Sequence, residues 1–367
     1  MIGVILLGKI PPPYYGPSVA TEIILKSSLT EKFDISHLDT RLNTSMDSMG
    51  KPSALKVWKS FKMFCNIVPL LLKRKNKVVW IPIAQDRSAL LKDAIFILLS
   101  KSMGKKVLIH LRGSSLLQYL EKEKKLIRSF LYRVLKLSDA GIVLGTNLKY
   151  ILRPFLKEEN IHVVPNGGNY KVLEKNITDR NKQFQLLYLS NLQRNKGIHV
   201  VLKALMEIQK MEGKKIHLTV HGSWKDLKYR DECQDMICQN DLAVTIKPSV
   251  SGDEKMKAFQ LSDAFVFTPV APEGHPWAIV EAMACSMPII STDQGAIIES
   301  VIDGQNGYVV ETGSHTALAS KLLELMRDVE LIERMAEKSR QLYLENFTEE
   351  KMIKNLEVVL RSTVQAE

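Results

Sequence analysis

The strongest constraint on how this chain can fold is a rhythm. Twelve short apolar runs, most of them rich in Val and Ile, recur along the 367 residues, usually separated by stretches long enough for a helix. The first six are IGVILLG (2–8), FDISHLD (33–39), VVWIPI (78–83), KVLIHLR (106–112), GIVLGT (141–146) and IHVVPNG (161–167). The second six are QLLYLSN (185–191), IHLTVHG (216–222), AVTIKPS (243–249), DAFVFTP (263–269), MPIISTD (287–293) and GYVVE (307–311). Near-continuous apolar runs joined by helices are the mark of parallel strands covered on both faces. The set occurs twice, and the chain is long for one core. The expectation is α/β architecture, with two Rossmann-like domains facing a cleft. The polar, aperiodic stretch GGNYKVLEKNITDRNKQ (167–183) reads as the linker. That gives an N-terminal domain over 1–168 and a C-terminal domain over 169–345. Residues 316–362 read as continuous helix-forming sequence, and 346–367 are expected to be a helix packing back on the N-terminal domain.

Ligands of such sheets bind outside the carboxyl ends of the strands, so informative residues should follow the apolar runs. After DAFVFTP comes PEGHPWAIVEAMACSMPIIST (272–292), with Glu281 set among Trp277, Ile279, Val280 and Met283. Burying an ionised carboxylate without a partner is costly. Glu281 therefore either finds a partner inside the protein or faces a cleft and holds a ligand. Pro276 suits the first turn of a helix, which leaves Glu273 on the preceding loop and Glu281 about one turn in. A helix N-terminus attracts phosphate. The element thus offers a pyrophosphate site and two acceptors for hydroxyls, and a nucleotide sugar carries both groups. Bonds from neighbouring strand amides would account for Glu281 equally well.

Other features narrow the function classes. The four cysteines (Cys65, Cys233, Cys238, Cys285) show no C-x-x-C spacing, and His217, His221 and His275 are scattered, so no metal site is expected. There is no G-x-x-x-x-G-K-[ST] loop. No run reaches the roughly 18 apolar residues of a membrane span, and the start, MIGVILLGKIPPPYYG, does not read as a signal peptide. A cytoplasmic protein is expected, soluble or peripheral on the inner face of the membrane.

Charge is uneven. Residues 1–170 hold 27 Lys+Arg against 12 Asp+Glu, a net of +15, while the remainder is at −4 within a total of +11. The first half should therefore meet an anionic partner, a membrane surface or nucleic acid; without an RNP-type motif or zinc-finger spacing, nucleic acid is disfavoured. ALKVWKSFKMFCNIVPLLLKRKNK (54–77) sets Trp58, Phe61, Phe64 and Ile67 among Lys56, Lys59, Lys62, Lys73, Arg74, Lys75 and Lys77, and EKEKKLIRSFLYRVLK (121–136) repeats the theme. Such helices can lie on an anionic membrane, or their apolar stripes can pack into the domain core.

Glu273-x7-Glu281, within EGHPWAIVEAMACSMPIISTDQGAIIESVIDGQNGYVV, resembles the E-x7-E region of the retaining family 4 glycosyltransferases, which have the GT-B fold. YLSNLQRNKGIHVVLKAL (188–205), VVPNGGN (163–169), GKIPPPYYGPSVAT (8–21) and HLRGSS (110–115) resemble further family segments in the right order. The resemblance implies that Glu281 holds the ribose hydroxyls, Glu273 a hydroxyl of the donor sugar and Lys196 the pyrophosphate. Amides near Gly274 and His275, beside Pro276 and Trp277, approach the donor. Gly16 allows the N-terminal loop near the phosphate, and His110 lies beside the reacting sugar. It implies retention at the anomeric carbon, with no metal or organic cofactor, since charge and dipoles stabilise the leaving group.

Departures from the pattern are visible. Ser190-Asn191 stands where the family often has Gly-Arg, and the neutral Asn191 lacks a charged fork; Arg194 is the candidate to compensate. Gly16-Pro17 replaces a common Gly-Gly, and Pro276 and Ser286 replace glycines. Each residue has a plainer reading as well. Lys196 fits a solvated loop, and His110 fits a satisfied core histidine. The reading is transfer of a sugar from a UDP- or GDP-linked donor to a lipid-linked saccharide in surface polysaccharide synthesis (O-antigen, lipopolysaccharide, capsule or exopolysaccharide). A transferase with a soluble acceptor, or a nucleotide-sugar epimerase of the same fold, is the alternative.

Overall fold

The computed structural model describes residues 1–12, 14–41, 54–170, 183–213 and 215–365, apart from the side chains of 54–57 and 60. Most of the expected linker, 171–182, and the side chain of Lys56 lie outside the described residues. The chain divides into two compact units, one of residues 1–166 with 349–367 and one of residues 167–348.

The first unit begins with β1 (Ile2–Gly8), α1 (Gly16–Lys26), α2 (Leu29–Lys32), β2 (Phe33–Asp39), α3 (Ala54–Leu72), β3 (Asn76–Ile83) and α4 (Arg87–Ser102). It continues with β4 (Lys106–Leu111), α5 (Leu116–Lys122), α6 (Lys125–Leu135), β5 (Ala140–Val143) and β6 (Ile161–Val163). Its sheet has the order β2-β1-β3-β4-β5-β6, with every pairing parallel. Val4–Leu6, Val78–Trp80 and Val107–Ile109 are fully buried, because helices cover both faces of a parallel sheet. The order reverses between β1 and β3, which makes the mouth of these two strands the switch point.

The second unit runs β7 (Phe184–Leu189), α7 (Ile198–Glu212), β8 (Ile216–His221), α8 (Leu227–Gln239), β9 (Val244–Lys247), α9 (Gly252–Gln260) and β10 (Ala264–Phe267). After these come α10 (Trp277–Ala284), β11 (Ile289–Thr292), β12 (Gly307–Val310), α11 (His315–Arg327) and α12 (Val329–Asn346). Its parallel sheet reads β12-β11-β10-β7-β8-β9, the order 3-2-1-4-5-6 of a dinucleotide-binding sheet, with its switch point between β7 and β10.

The run expected to be one continuous helical stretch is instead three helices: α11, α12 and α13 (Glu349–Gln365). Asp328 breaks the first junction by capping α12, its Oδ1 accepting from the Leu331 amide at 2.9 Å. A side chain that satisfies a free N–H favours a helix start over continuation. Phe347 and Thr348 form the second junction, after which α13 belongs to the first unit.

Candidate functional site

In the second unit the site grows from the switch point. β7 is followed by a loop and a short 3-10 turn, Arg194–Lys196, that ends on Gly197 at φ +83°. That left-handed conformation suits glycine, and a Cβ at Gly197 would collide with the carbonyl of Thr268. The loop is sewn to the end of β10: Thr268 Oγ1 donates to the Gly197 carbonyl at 3.1 Å and the Val270 amide to Asn195 O at 2.9 Å. From β7 itself, the Tyr188 hydroxyl donates to the Lys196 carbonyl at 2.7 Å. The backbone at Lys196 is therefore fixed from two strands. Its ammonium forms an ion pair with Glu273, on the loop after β10. That loop is held from behind, the Ala296 amide donating to Gly274 O at 2.8 Å.

Glu281 sits on α10 and is buried. Its partner is Lys255 of α9, whose Nζ donates to Oε1 at 2.7 Å. Oε2 takes no protein donor among the described residues, and the same is true of Glu273 Oε2. Each acid thus keeps one oxygen on a lysine and one oxygen to accept a hydroxyl, an arrangement suited to a polyhydroxylated ligand.

The other expected donor residues are placed differently from one another. Pro276 is the N-cap of α10 and Trp277 its first residue, so the helix begins one position later than proline chemistry suggested. The His275 side chain turns inward: its ring Nε2 lies 2.6 Å from Ser300 Oγ and the ring packs on Phe347. Burial lowers its pKa to about 3, so at neutral pH it is an uncharged packing group. Arg194 engages α8, paired with Glu232 and lying over the Tyr229 ring at 4.6 Å, rather than joining either acid of the site. Asn191 uses its carbonyl to accept from the Gln193 amide at 2.9 Å.

In the first unit, Gly16 is the first residue of α1, and His110 is the penultimate residue of β4, in register with Pro82 of β3 and Ile142 of β5. The His110 ring stacks on that of Trp80, centroids 5.9 Å apart and planes 13° apart. Burial first, and then the Arg112 cation, hold its pKa well below the usual histidine range. The ring is neutral, with one N–H to give and one lone pair to take.

Lys255 is a site residue that sequence reasoning missed, since nothing in SGDEKMKAFQ distinguishes it from a solvated lysine. Arg112 was missed despite a signal: it stands two positions after His110 at a strand end, where alternate residues share a face.

Residues 171–342 match the family described as glycosyl transferases group 1. An uncharacterised glycosyltransferase of Methanocaldococcus jannaschii is 24% identical over 73% of this chain and 71% of its own length. The capsular polysaccharide biosynthesis glycosyltransferase CapM of Staphylococcus aureus is 30% identical over 52% of this chain; the match spans about half of that relative, 49%. Among solved structures, Anabaena HepE in complex with UDP superposes with a TM-score of 0.73 at 16% identity, over 99% of this chain and 100% of its own. At that identity the likeness speaks for the fold, which is GT-B.

Proposed function

We propose, from the premise that this chain belongs to the glycosyl transferases group 1 and is a transferase of GT-B fold, that it moves a sugar from a nucleotide-sugar donor to a saccharide acceptor with retention at the anomeric carbon. The observation that carries this reading is the pair of lysine-held acids at one switch point, Lys196 with Glu273 and Lys255 with Glu281. Glu281 accepts the ribose hydroxyls and Glu273 a hydroxyl of the transferred sugar. Lys196 leaves Glu273 for the pyrophosphate as its negative charge grows, which is stabilisation directed at the transition state. Neutral His110 serves the reacting sugar as a hydrogen-bonding group. No step in this account is assigned to a metal ion.

A UDP-linked donor is favoured, with a GDP-linked donor as its competitor; the complex of HepE with UDP supports the former. The acceptor we infer is a lipid-linked saccharide of a surface polysaccharide, supported by the capsular role in the name of the Staphylococcus aureus relative. A peripheral site on an anionic membrane fits the first unit. Met63, Ile67 and Leu71 of α3 are buried, whereas Trp58 and Phe61 are 63% and 57% exposed and stacked at 6.0 Å. Lys62, Lys73 and Arg74 are exposed nearby in sequence, and Leu126, in the first turn of α6, is 83% exposed between Lys125 and Arg128. Exposed aromatics with lysines around them are the composition of an interfacial helix. Among the described residues no helix is long and apolar enough to cross a membrane.

The test is to incubate the protein with UDP- and GDP-sugars and a lipid extract, and to read the configuration of the new glycosidic linkage by NMR. Product with the donor's configuration, and nucleotide released one for one, is the expected result. An inverted product overturns the retaining mechanism; free sugar or an epimerised nucleotide sugar without acceptor overturns the transferase.

A further inference from the structure

Nine buried side-chain nitrogen and oxygen atoms lack a hydrogen-bond partner among the described residues, and seven of them belong to Tyr15, Trp80, His110, Arg112 and Ser114. Unsatisfied buried polar atoms are few in a native fold, and each calls for a reason. Tyr15 caps α1, His110 is the penultimate residue of β4, Arg112 and Ser114 follow it, and Trp80 lies mid-strand in β3 beneath His110. Four of the five thus sit at element ends near the β1/β3 switch point, where a sheet of this order receives its ligand. Both ring nitrogens of His110 are among the seven atoms, as are Nε and Nη2 of Arg112. His110 is 4% exposed and Trp80 fully buried.

Arg112 is the anomaly that decides the chemistry. The buried lysines of this unit are satisfied: Lys92 lies 3.6 Å from Asp93, and Lys105 donates to the Asn76 carbonyl at 2.8 Å. Among the described residues Arg112 has neither a carboxylate nor a carbonyl partner. Burial lowers its pKa only to about 10, so the guanidinium stays charged at neutral pH. The phenol of Tyr15 acts on it electrostatically, and burial and Asp39 push that phenol up to about 12 and so keep it neutral. Arg112 as a whole is only partly buried, but its Nε and Nη2 lie out of reach of water without a partner, and buried polar atoms left unpaired are costly. The loop nevertheless holds it in place. Gln85 Oε1 accepts from the Ser115 amide at 2.6 Å and from Ser115 Oγ at 2.7 Å. A Cβ on Gly113 would strike the Gln85 amide nitrogen. A charge fixed without a partner is a charge prepared for a ligand.

We propose that Arg112, with the Tyr15 hydroxyl and the His110 ring N–H, forms an oxyanion site in the first unit that binds a phosphate or carboxylate group of a substrate. The guanidinium supplies the charged fork through Nε and Nη2, a geometry matched to two oxygens of one anion, and the neutral groups complete its hydrogen bonding. Only the source of the anion, the donor's diphosphate or an acidic acceptor, rests on the transferase reading.

The probe is inorganic phosphate, with glucuronate as its carboxylate counterpart, in thermal unfolding of the full chain at ionic strength held constant with chloride. Wild type should rise in Tm with phosphate. Arg112→Met should lose that rise and, in chloride alone, melt no lower than wild type, because a stranded charge has gone. Tyr15→Phe should weaken it several-fold. A wild type indifferent to both anions overturns the site, as does an Arg112→Met that keeps the response. An Arg112→Met that melts well below wild type or fails to fold makes the guanidinium structural, and also overturns it. UDP titration then separates the sources: affinity lower by about tenfold in Arg112→Met, the scale of one charged hydrogen bond, puts the anion on the donor, and unchanged affinity puts it on the acceptor. Failure of any nucleotide to bind wild type would contradict the transferase while leaving the phosphate result standing.

Discussion

The ammonium of Lys255 lies 2.7 Å from Oε1 of Glu281. That contact explains how an acid survives among the apolar residues of α10: its charge is met from α9, leaving Oε2 without a protein donor among the described residues. The pair is part of the fold and part of the proposed donor site.

Lys255→Met should therefore weaken nucleotide-sugar binding by about tenfold, since the acid loses the cation that orients it. Calorimetric titration of the variant checks this. Affinity equal to wild type would make Lys255 a bystander.

Lys196→Ala should lower kcat by about 10²–10³-fold, the range for removing one charge-stabilising donor, with a smaller change in KM. Lys196→Arg should restore part of the rate, because charge is kept while its reach changes. An equal rise in KM at constant kcat would instead assign the lysine to uniform ground-state binding.

Gly197→Ala should destabilise the fold by about 1–3 kcal/mol, the scale of a strained backbone residue, because the added methyl meets the Thr268 carbonyl in a left-handed turn. Denaturant titration reads it directly. A loss well below that range would mean that the Lys196 loop is free to shift.

Stability should fall in acid through His275. Its folded pKa, about 3, lies below the unfolded value of about 6.5. Protonation then favours the unfolded chain: the contribution is whole above about pH 6.5 and is lost as pH falls toward 3, at up to about 1.4 kcal/mol per pH unit. His110, depressed by burial and by Arg112, adds a slope of the same sign. His275→Gln should flatten the unfolding free energy against pH by about one proton's worth; an unchanged slope would exclude this histidine.

The twelve strands were legible because parallel strands covered on both faces write themselves as apolar runs; IGVILLG and FDISHLD coincide with β1 and β2. Lys196 and Glu273 were legible as separate residues of one pattern, each following a strand. Lys255 was not, because its partner lies 26 residues away and sheet order alone brings α9 to α10. The break at Asp328 was masked by strong helix formers on both sides, where a single cap decides between one helix and two. Arg194 read as the candidate to reach the pyrophosphate; its pairing with Glu232 and its place over the Tyr229 ring of α8 are contacts that no local spacing encodes.

The central claim is that the acid on α10 holds the nucleotide of the donor. The most direct measurement is thermal unfolding with UDP, GDP, ADP and CMP, each alone and as its sugar conjugate, in wild type and in Glu281→Ala. A ligand at about 100 times its dissociation constant stabilises by roughly 2.7 kcal/mol, enough to move Tm visibly. The account predicts a shift selective for one nucleotide in wild type and its loss in a folded Glu281→Ala, in which Lys255, 21% exposed, can turn to water. A Glu281→Ala that keeps the shift, or that fails to fold, would contradict the account and leave Glu281 a structural partner of Lys255.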